Sequence, residues 1–255
     1  MYLLVWLVKC MRSSLRRILA YAHYSIIPMV KQPMQMITIV GYIFLPMIFM
    51  AIFLRDAGAI HGLIGVLVNS AVLSGIFTSQ DYVYNRIYFR LQDFLVSSPM
   101  KSWEYVAGVT LSTYVIMIPS LALSLVILYY LQVISSVMSL LITLIILLIG
   151  GIGFSFLGYL IGTLTNNPTT VNGLSNILVL VLGFLAPVYY PMDLIPPEYR
   201  IYTLILPSTP IPELLRQLYN ISETSFSIWI LGLLILIWNI LFIGLSIKVA
   251  YWREK

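Results

Sequence analysis

Charged residues are scarce in this sequence. Only 9% of its 255 residues are Asp, Glu, Lys or Arg, whereas a soluble domain carries about 25%. Hydrophobic residues make up 60% of the chain, and its mean hydropathy is +0.98. So few charges could not cover the surface of a protein in water, which excludes a soluble globular fold and indicates an integral membrane protein.

The residues and motifs of common catalytic and metal chemistry are missing as well. The single cysteine, Cys10, excludes an intrachain disulfide and a cysteine-pair metal site. His23 and His61 fall on opposite predicted sides of the membrane, so we interpret them as interfacial residues rather than ligands of one metal or haem. The sequence contains no G-x-x-x-x-G-K-[ST], G-x-S-x-G or H-E-x-x-H motif. We therefore assign no catalytic residue and no metal ligand to it.

Long apolar runs are abundant instead. A helix needs about 20 apolar residues to cross the hydrocarbon core of a bilayer. Six such runs, together with modest loops between them, account for the whole sequence and predict one all-α transmembrane domain over 1–255. The spans are expected at about 35–54, 60–79, 105–131, 137–164, 171–188 and 228–249.

The distribution of Lys and Arg predicts the orientation of these spans. An even number of spans places both termini on one side, which holds 11 of the 14 basic residues; only Arg55, Arg200 and Arg216 fall on the other side. Because Lys and Arg concentrate in cytoplasmic loops, both termini are expected in the cytoplasm and the protein in the cell membrane. The basic balance of the chain therefore reflects topology and does not indicate a nucleic-acid partner.

Two segments on the predicted cytoplasmic side are amphipathic. Residues 9–31 mix basic and apolar positions and predict a helix on the inner membrane surface, either a lipid anchor or a lipid-sensing or gating element. A second short helix is predicted at about 86–98, where Pro99 ends it. It either lies against lipid or presents its polar face to a partner. The apolar face holds Ile87, Leu91, Phe94 and Leu95, and the polar face holds Arg86, Arg90, Asp93 and Ser97.

Polar residues inside the predicted spans are almost all neutral, which argues against a proton-driven carrier. They are interpreted as interhelical hydrogen-bonding groups or, alternatively, as the lining of a substrate path. The clearest are Asn69, Ser70, Ser74, Thr78, Thr169, Asn172 and Asn176. In the fourth span, Gly158 and Gly162 stand in GxxxG spacing, which predicts close helix packing.

The longest loop follows the fifth span and is rich in proline. Its apolar stretches, such as 201–206, are too short to cross a bilayer. Broken apolar segments of this kind are typical of a re-entrant outer segment, expected here at about 189–215.

Two stretches resemble the membrane subunits of type-2 ATP-binding-cassette (ABC) exporters. Residues 90–109, RLQDFLVSSPMKSWEYVAGV, are similar to that family's short cytoplasmic helix, proline break and return into the next span. Residues 183–197, GFLAPVYYPMDLIPP, followed by Leu206-Pro207, resemble its re-entrant loop before the last span. The general plan of the family covers nearly the whole chain.

The resemblance implies an exporter permease rather than an enzyme. Two copies would form a homodimer in contact with membrane lipids, and each would dock a separate ATPase subunit that holds ATP and Mg, so no cofactor is expected on this chain. The implied substrate is lipid-like, a glycan or drug-like, and the alternatives are a channel, an ion-coupled carrier without an ATPase partner, or a membrane enzyme. The resemblance implies that the ATPase is contacted by Arg86, Arg90, Asp93 and Phe94. It implies a substrate path lined by Asn69, Ser74, Asn172 and Asn176. The implied outer segment contains Pro191, Pro196 and Pro207.

Overall fold

The structure is a computed structural model that describes residues 14–31, 33–91, 97–222 and 226–249. Every regular element among these residues is helical, as expected for an all-α membrane protein. The helices are α1 (Ser14–Val30), α2 (Pro33–Ile87), α3 (Ser102–Tyr130), α4 (Val137–Leu164), α5 (Pro168–Leu180), α6 (Pro197–Thr203), α7 (Pro210–Leu218) and α8 (Ile228–Val249). A π-helical turn at Val181–Leu185 continues α5, and a 3-10 turn covers Met192–Leu194.

Five helical stretches in the described residues are long and apolar enough to cross a membrane, and a bent helix makes a sixth. We number them as span 1 (Met36–Arg55), span 2 (Ala57–Ile87), span 3 (α3), span 4 (Val137–Leu164), span 5 (Pro168–Leu185) and span 6 (Ile228–Lys248). Spans 1 and 2 are the two arms of α2, separated at Arg55, where the backbone leaves the helical region (φ 53°, ψ −136°). The arms are so close that a Cβ on Gly58 would lie 2.0 Å from the Met50 carbonyl oxygen.

Span 3 is bent by 50° between its arms, Ser102–Val115 and Met117–Tyr130. The cause is Pro119, which has no N–H to donate to the carbonyl of Val115 and whose ring crowds that carbonyl. The bend therefore follows from the sequence at one position.

Span 2 is the central helix of the bundle. In its most apolar stretch 89% of the residues are buried, against 11% in span 1. Span 4 packs closely on it through the predicted GxxxG pair: a Cβ on Gly158 would lie 2.3 Å from the Gly75 carbonyl oxygen, and one on Gly162 would lie 2.9 Å from that of Ser79. The prediction of close packing at these glycines is confirmed.

The bundle has two chemically different ends. The basic end holds α1, the 88–101 connection between spans 2 and 3, and the 165–167 connection between spans 4 and 5. The proline-rich end holds the turn at Arg55 and the segment 186–222, which contains α6 and α7. At seven and nine residues, α6 and α7 are too short to cross the membrane.

Candidate functional site

The 88–101 connection begins with a break in the helix. Span 2 continues to Ile87, so Arg86, predicted as the first residue of a separate helix, lies in the last turn of span 2. The N–H groups of Tyr88 and Phe89 both donate to the Tyr84 carbonyl, at 3.0 and 3.3 Å. The next residue, Arg90, has a φ of 47°. Left-handed backbone is unfavourable for a residue with a Cβ and cannot continue a right-handed helix. The helix predicted over 86–98 is therefore interrupted within its first turns.

The two flanks of the 88–101 connection are inserted into the apolar core of the basic end. Leu91 and Met100 are both buried and pack in one cluster with Tyr82, Tyr105 and other residues of α1 and spans 2 to 5. Leu91 and Ser97 have helical backbone. Two of the predicted coupling residues, Asp93 and Phe94, lie between them and outside the described residues.

Arg86 ties the end of span 2 to the connection between spans 4 and 5. Its guanidinium donates to the Thr165 carbonyl at 3.3 Å and to the side-chain oxygen of Asn166, and it lies 5.7 Å from the centre of the Tyr82 ring. Arg90, by contrast, is exposed. The two arginines of the predicted polar face thus have different surroundings: Arg86 contacts the bundle, and Arg90 points to the outside.

An ion pair joins α1 to the start of span 3. The guanidinium of Arg17 donates to both carboxylate oxygens of Glu104, at 2.8 and 2.5 Å, in the two-pronged geometry that makes such pairs strong. Glu104 is fully buried and also accepts the Lys101 N–H at 2.9 Å, which caps span 3. The hydrogen bond with Glu104 raises the pKa of Arg17 above its ordinary value. This pair was not among the predicted site residues.

A tyrosine cluster extends the contact between α1 and the bundle. Asn85 donates to the hydroxyl of Tyr21 at 2.8 Å, and the Tyr21 and Tyr105 rings meet edge to face with their centres 4.9 Å apart. A Cβ on Gly108 would lie only 3.0 Å from the Tyr21 ring. The basic end therefore connects α1, span 2, span 3 and the connection between spans 4 and 5 into one contact network.

Two of the four predicted path residues, Asn69 and Ser74, are fully buried inside the bundle. The Asn69 amide donates to the Tyr189 hydroxyl at 2.8 Å, and that hydroxyl donates to the Ile43 carbonyl at 2.9 Å. Ser74 donates to the Ala71 carbonyl in its own helix at 2.9 Å. Asn69 thus joins spans 1 and 2 to the segment after span 5.

The other two predicted path residues lie on span 5. Asn172 is half-buried and donates to the Tyr84 hydroxyl at 3.0 Å, whereas Asn176 is exposed near the middle of the span. Gly173 is exposed one helical turn before Asn176, with no atom within 4 Å of the position of a Cβ. The structure therefore does not bring the four residues together. An amide exposed at the depth of the hydrocarbon is unfavourable unless protein or water covers it.

Prolines shape the predicted re-entrant segment. Pro191 is buried and precedes the 3-10 turn, Pro196 is exposed and precedes α6, and Pro207 is half-buried between α6 and α7. A proline supplies no N–H and fixes its own φ, so it favours the short turns seen here over one long helix.

Arg216 holds this segment against the end of span 5. Its side chain has no exposed surface, and its guanidinium donates to the carbonyls of Pro187 at 2.9 Å and Val188 at 2.6 Å and to Glu213 at 2.5 Å. Ser208 adds a bond of 2.6 Å to the Leu182 carbonyl within the π-helical turn. The sequence signal for this arrangement, an acid and an arginine three positions apart on a short amphipathic helix, was not used in the prediction.

Several polar atoms buried at the proline-rich end have no hydrogen-bond partner in the part of the chain that the structure describes. They include His61 Nδ1, Asn69 Oδ1, Thr209 Oγ1 and Glu213 Oε2. Such atoms are usually satisfied by ordered water or a ligand. Within the described ranges, no three His, Cys, Asp or Glu residues are close enough to hold a metal ion.

Comparison with protein families identifies the family of the chain. A family model described as ABC-2 type transporter matches residues 7–220, which include the basic end and the chain through α7. No curated protein matches the sequence significantly.

Proposed function

The chain belongs to the ABC-2 type transporter family, and from this premise we propose that it is the permease of an ATP-driven exporter. As a family member it is a multi-pass membrane subunit of an ABC transporter and is not itself catalytic. The proposal adds three elements: a separate ATPase partner that binds ATP and Mg, a second copy of this chain, and outward movement of the substrate.

The observation that carries the proposal is the contact network at the basic end. The 88–101 connection is anchored on one flank by Arg86, which contacts residues 165 and 166, and on the other by Glu104, which binds Arg17 of α1. A partner that displaced this connection would therefore move span 2, span 3, α1 and the connection between spans 4 and 5 together. This is the linkage that an external motor requires.

The 88–101 connection is proposed as the docking site of the ATPase. Arg90 is exposed at its start and has left-handed backbone, a conformation that costs roughly 1–2 kcal/mol in a residue with a Cβ. Strained residues of this kind are concentrated at functional sites. We assign contact with the ATPase to Arg90, together with Asp93 and Phe94, and we assign to Arg86 the transfer of movement into the bundle.

A second copy of the chain is proposed to cover span 5. Its exposed face carries Gly173 and Asn176 near the middle of the membrane. Small residues allow helices to approach closely, and amides bond across helix interfaces. A homodimer that meets along spans 1 and 5 would cover this face or line a wet path with it, so Asn172 and Asn176 are retained as path residues. Asn69 and Ser74, being buried in the monomer, would act by supporting the path.

The basic end is proposed to face the cytoplasm, because it carries most Lys and Arg residues. Both termini would then be cytoplasmic, and the permease would lie in the cell membrane. The proline-rich end, with Pro191, Pro196 and Pro207, would cap the outer exit. The proposed substrate is lipid-like, a glycan or drug-like, as the family resemblance implies.

A co-purification and transport experiment tests the proposal. The tagged chain is isolated from its native membranes in mild detergent, and a P-loop ATPase is expected to accompany it in equal amount. Arg90→Glu is expected to keep the protein in the membrane but to abolish substrate-stimulated ATP hydrolysis and export.

Lys248→Glu is the matched control, because Lys248 is an exposed basic residue in the last turn of span 6, at the same end of the bundle as Arg90. It should leave hydrolysis and export unchanged. Isolation of the chain without any ATPase, under conditions that keep other transporter complexes intact, would contradict the proposal and favour a channel or carrier. Normal export by Arg90→Glu would contradict the docking site alone.

A further inference from the structure

A groove of about 510 Å³ lies between α1 and the first arm of span 3. Leu19, Ala22 and Ile26 line it from α1, and Leu111 and Val115 line it from span 3. The groove is mainly apolar, with the side chains of Arg16 and His23 also in its lining, and it is open to the surroundings of the bundle. Leu19 and Leu111 remain 49% and 38% exposed, so the chain itself does not fill it.

Two features of the chain create this groove. At one end, α1 is held against span 3 by the Arg17–Glu104 pair and by the close approach at Gly108. At the other end, the groove finishes at Val115, where span 3 bends because Pro119 cannot bond to that carbonyl. The groove is therefore bounded at one end by the contact between α1 and span 3 and at the other end by the bend in span 3.

Charge identifies what the groove would bind. Arg16 also lines it and is exposed. An apolar channel with an arginine at its edge matches one acyl chain and the phosphate of a membrane phospholipid. Leu15, 66% exposed near the start of α1, adds apolar surface beside Arg16 that suits contact with a lipid bilayer.

We propose that this groove is a binding site for one anionic phospholipid, with an acyl chain between α1 and span 3 and the headgroup phosphate on Arg16. The lipid would add contacts between the two elements that the Arg17–Glu104 pair already joins. Its site involves neither the 88–101 connection nor span 5. The inference therefore stands whether or not an ATPase partner or a second copy binds.

Native mass spectrometry of the purified full-length chain in detergent tests the site. Phosphatidylglycerol and phosphatidylcholine with identical acyl chains are titrated separately. One phosphatidylglycerol per chain is expected to bind about fivefold more tightly than phosphatidylcholine, the contribution of one basic residue to anionic lipid binding. Arg16→Gln should remove this preference, and Leu111→Trp, which fills the groove, should weaken the binding of both lipids.

Two matched controls make the result specific. Lys31→Gln removes an exposed cation just beyond the end of α1, and Leu123→Trp places the same bulk on the second arm of span 3, away from the groove. Both should bind phosphatidylglycerol as the unmodified chain does. Equal binding of the two lipids, an undiminished preference in Arg16→Gln, or an equal loss in Lys31→Gln would each overturn the proposal. Arg16→Gln changes an exposed position, so its result holds even if Leu111→Trp fails to fold.

Discussion

Each end of the bundle contains an arginine–glutamate pair with a closest distance of 2.5 Å, but the two pairs connect different things. Arg17 and Glu104 are 87 positions apart, and their pair joins α1 to span 3. Arg216 and Glu213 are three positions apart on α7, and the other bonds of Arg216 go to backbone carbonyls at Pro187 and Val188. One pair links two helices through side chains, and the other fixes a turn of the backbone.

The arginines of the two pairs also differ in their access to solvent. The Arg17 side chain keeps 12% of its surface exposed, whereas Arg216 keeps none; the glutamates of both pairs are buried. An ion with access to water can exchange its partner for solvent at modest cost, but an ion enclosed in the protein cannot. We infer that the basic end can rearrange while the bundle stays folded. The contacts of Arg216 with α7 and with the backbone at 187–188, by contrast, must stay intact for the chain to fold.

The largest expected effect is the loss of Arg216. Arg216→Leu leaves the buried Glu213 carboxylate without its cation and removes the guanidinium that donates to the carbonyls of Pro187 and Val188, and breaking a buried pair in this way costs about 3–5 kcal/mol. We expect little monodisperse protein in detergent, and thermal unfolding at a much lower temperature in what remains. The measurement is size-exclusion chromatography combined with a melting curve.

Arg200→Leu is the matched control at the same end. Arg200 forms a longer pair of 3.4 Å with Asp193, which is 42% exposed. A partly exposed pair of this kind contributes about 1 kcal/mol or less. If the two leucine variants melted at the same temperature, burial could not be the reason that the two ends of the bundle differ.

The second effect is expected in transport rather than in folding. Arg17→Gln and Glu104→Gln each break the link between α1 and span 3 but leave the aromatic contacts of Tyr21 in place. We expect both variants to fold and to export about tenfold less substrate per ATP hydrolysed, the size of a typical coupling between sites. Arg17→Gln is expected to be the less stable of the two, because it leaves the buried Glu104 carboxylate without its cation, although the Lys101 N–H still donates to it.

A double-mutant cycle shows whether the two residues act as one unit. The Arg17→Gln, Glu104→Gln double variant should be no worse than either single variant, because the same bond is already lost. Additive losses would mean that the residues act separately, and a collapse of folding as severe as that of Arg216→Leu would assign the pair to the fold.

The sequence was sufficient to predict an all-α protein with long apolar helices, because about 20 consecutive apolar residues are visible without knowledge of their neighbours. The predicted fourth and sixth spans, 137–164 and 228–249, coincide with α4 and α8. Span 2 was predicted to end near Ser79, but its helix continues to Ile87. Hydropathy reports the thickness of the membrane, and the last two turns of this helix are too polar to contribute to that signal, although Tyr82 and Val83 within them are buried in the bundle.

The contacts that distinguish the two ends could not be predicted in the same way. No pattern near Glu104 in the sequence indicates that its partner lies 87 residues earlier. The groups that bind Arg216 are backbone carbonyls, which every residue has, so no residue type predicts them. The break at Arg90 was missed because the polar and apolar faces continue through it, while the φ of one residue ends the helix. Periodicity shows which face is polar and does not show where the backbone turns.

The smallest expected effects distinguish an asparagine that supports the fold from one that would face the substrate within the membrane. Asn69→Ala removes the donor to Tyr189, which helps to attach the proline-rich end to spans 1 and 2, and should lower stability by about 1 kcal/mol. Asn176→Ala changes an exposed side chain on span 5 and should leave the melting temperature unchanged.

In proteoliposomes that contain the ATPase, Asn176→Ala should instead change the relative transport of polar and apolar substrates, because its amide would face the path or the second copy. Asn69→Ala should preserve that ratio, since its amide is enclosed within one copy. The opposite pattern, a changed ratio in Asn69→Ala and a lower melting temperature in Asn176→Ala, would place the path inside each copy and make span 5 the structural element.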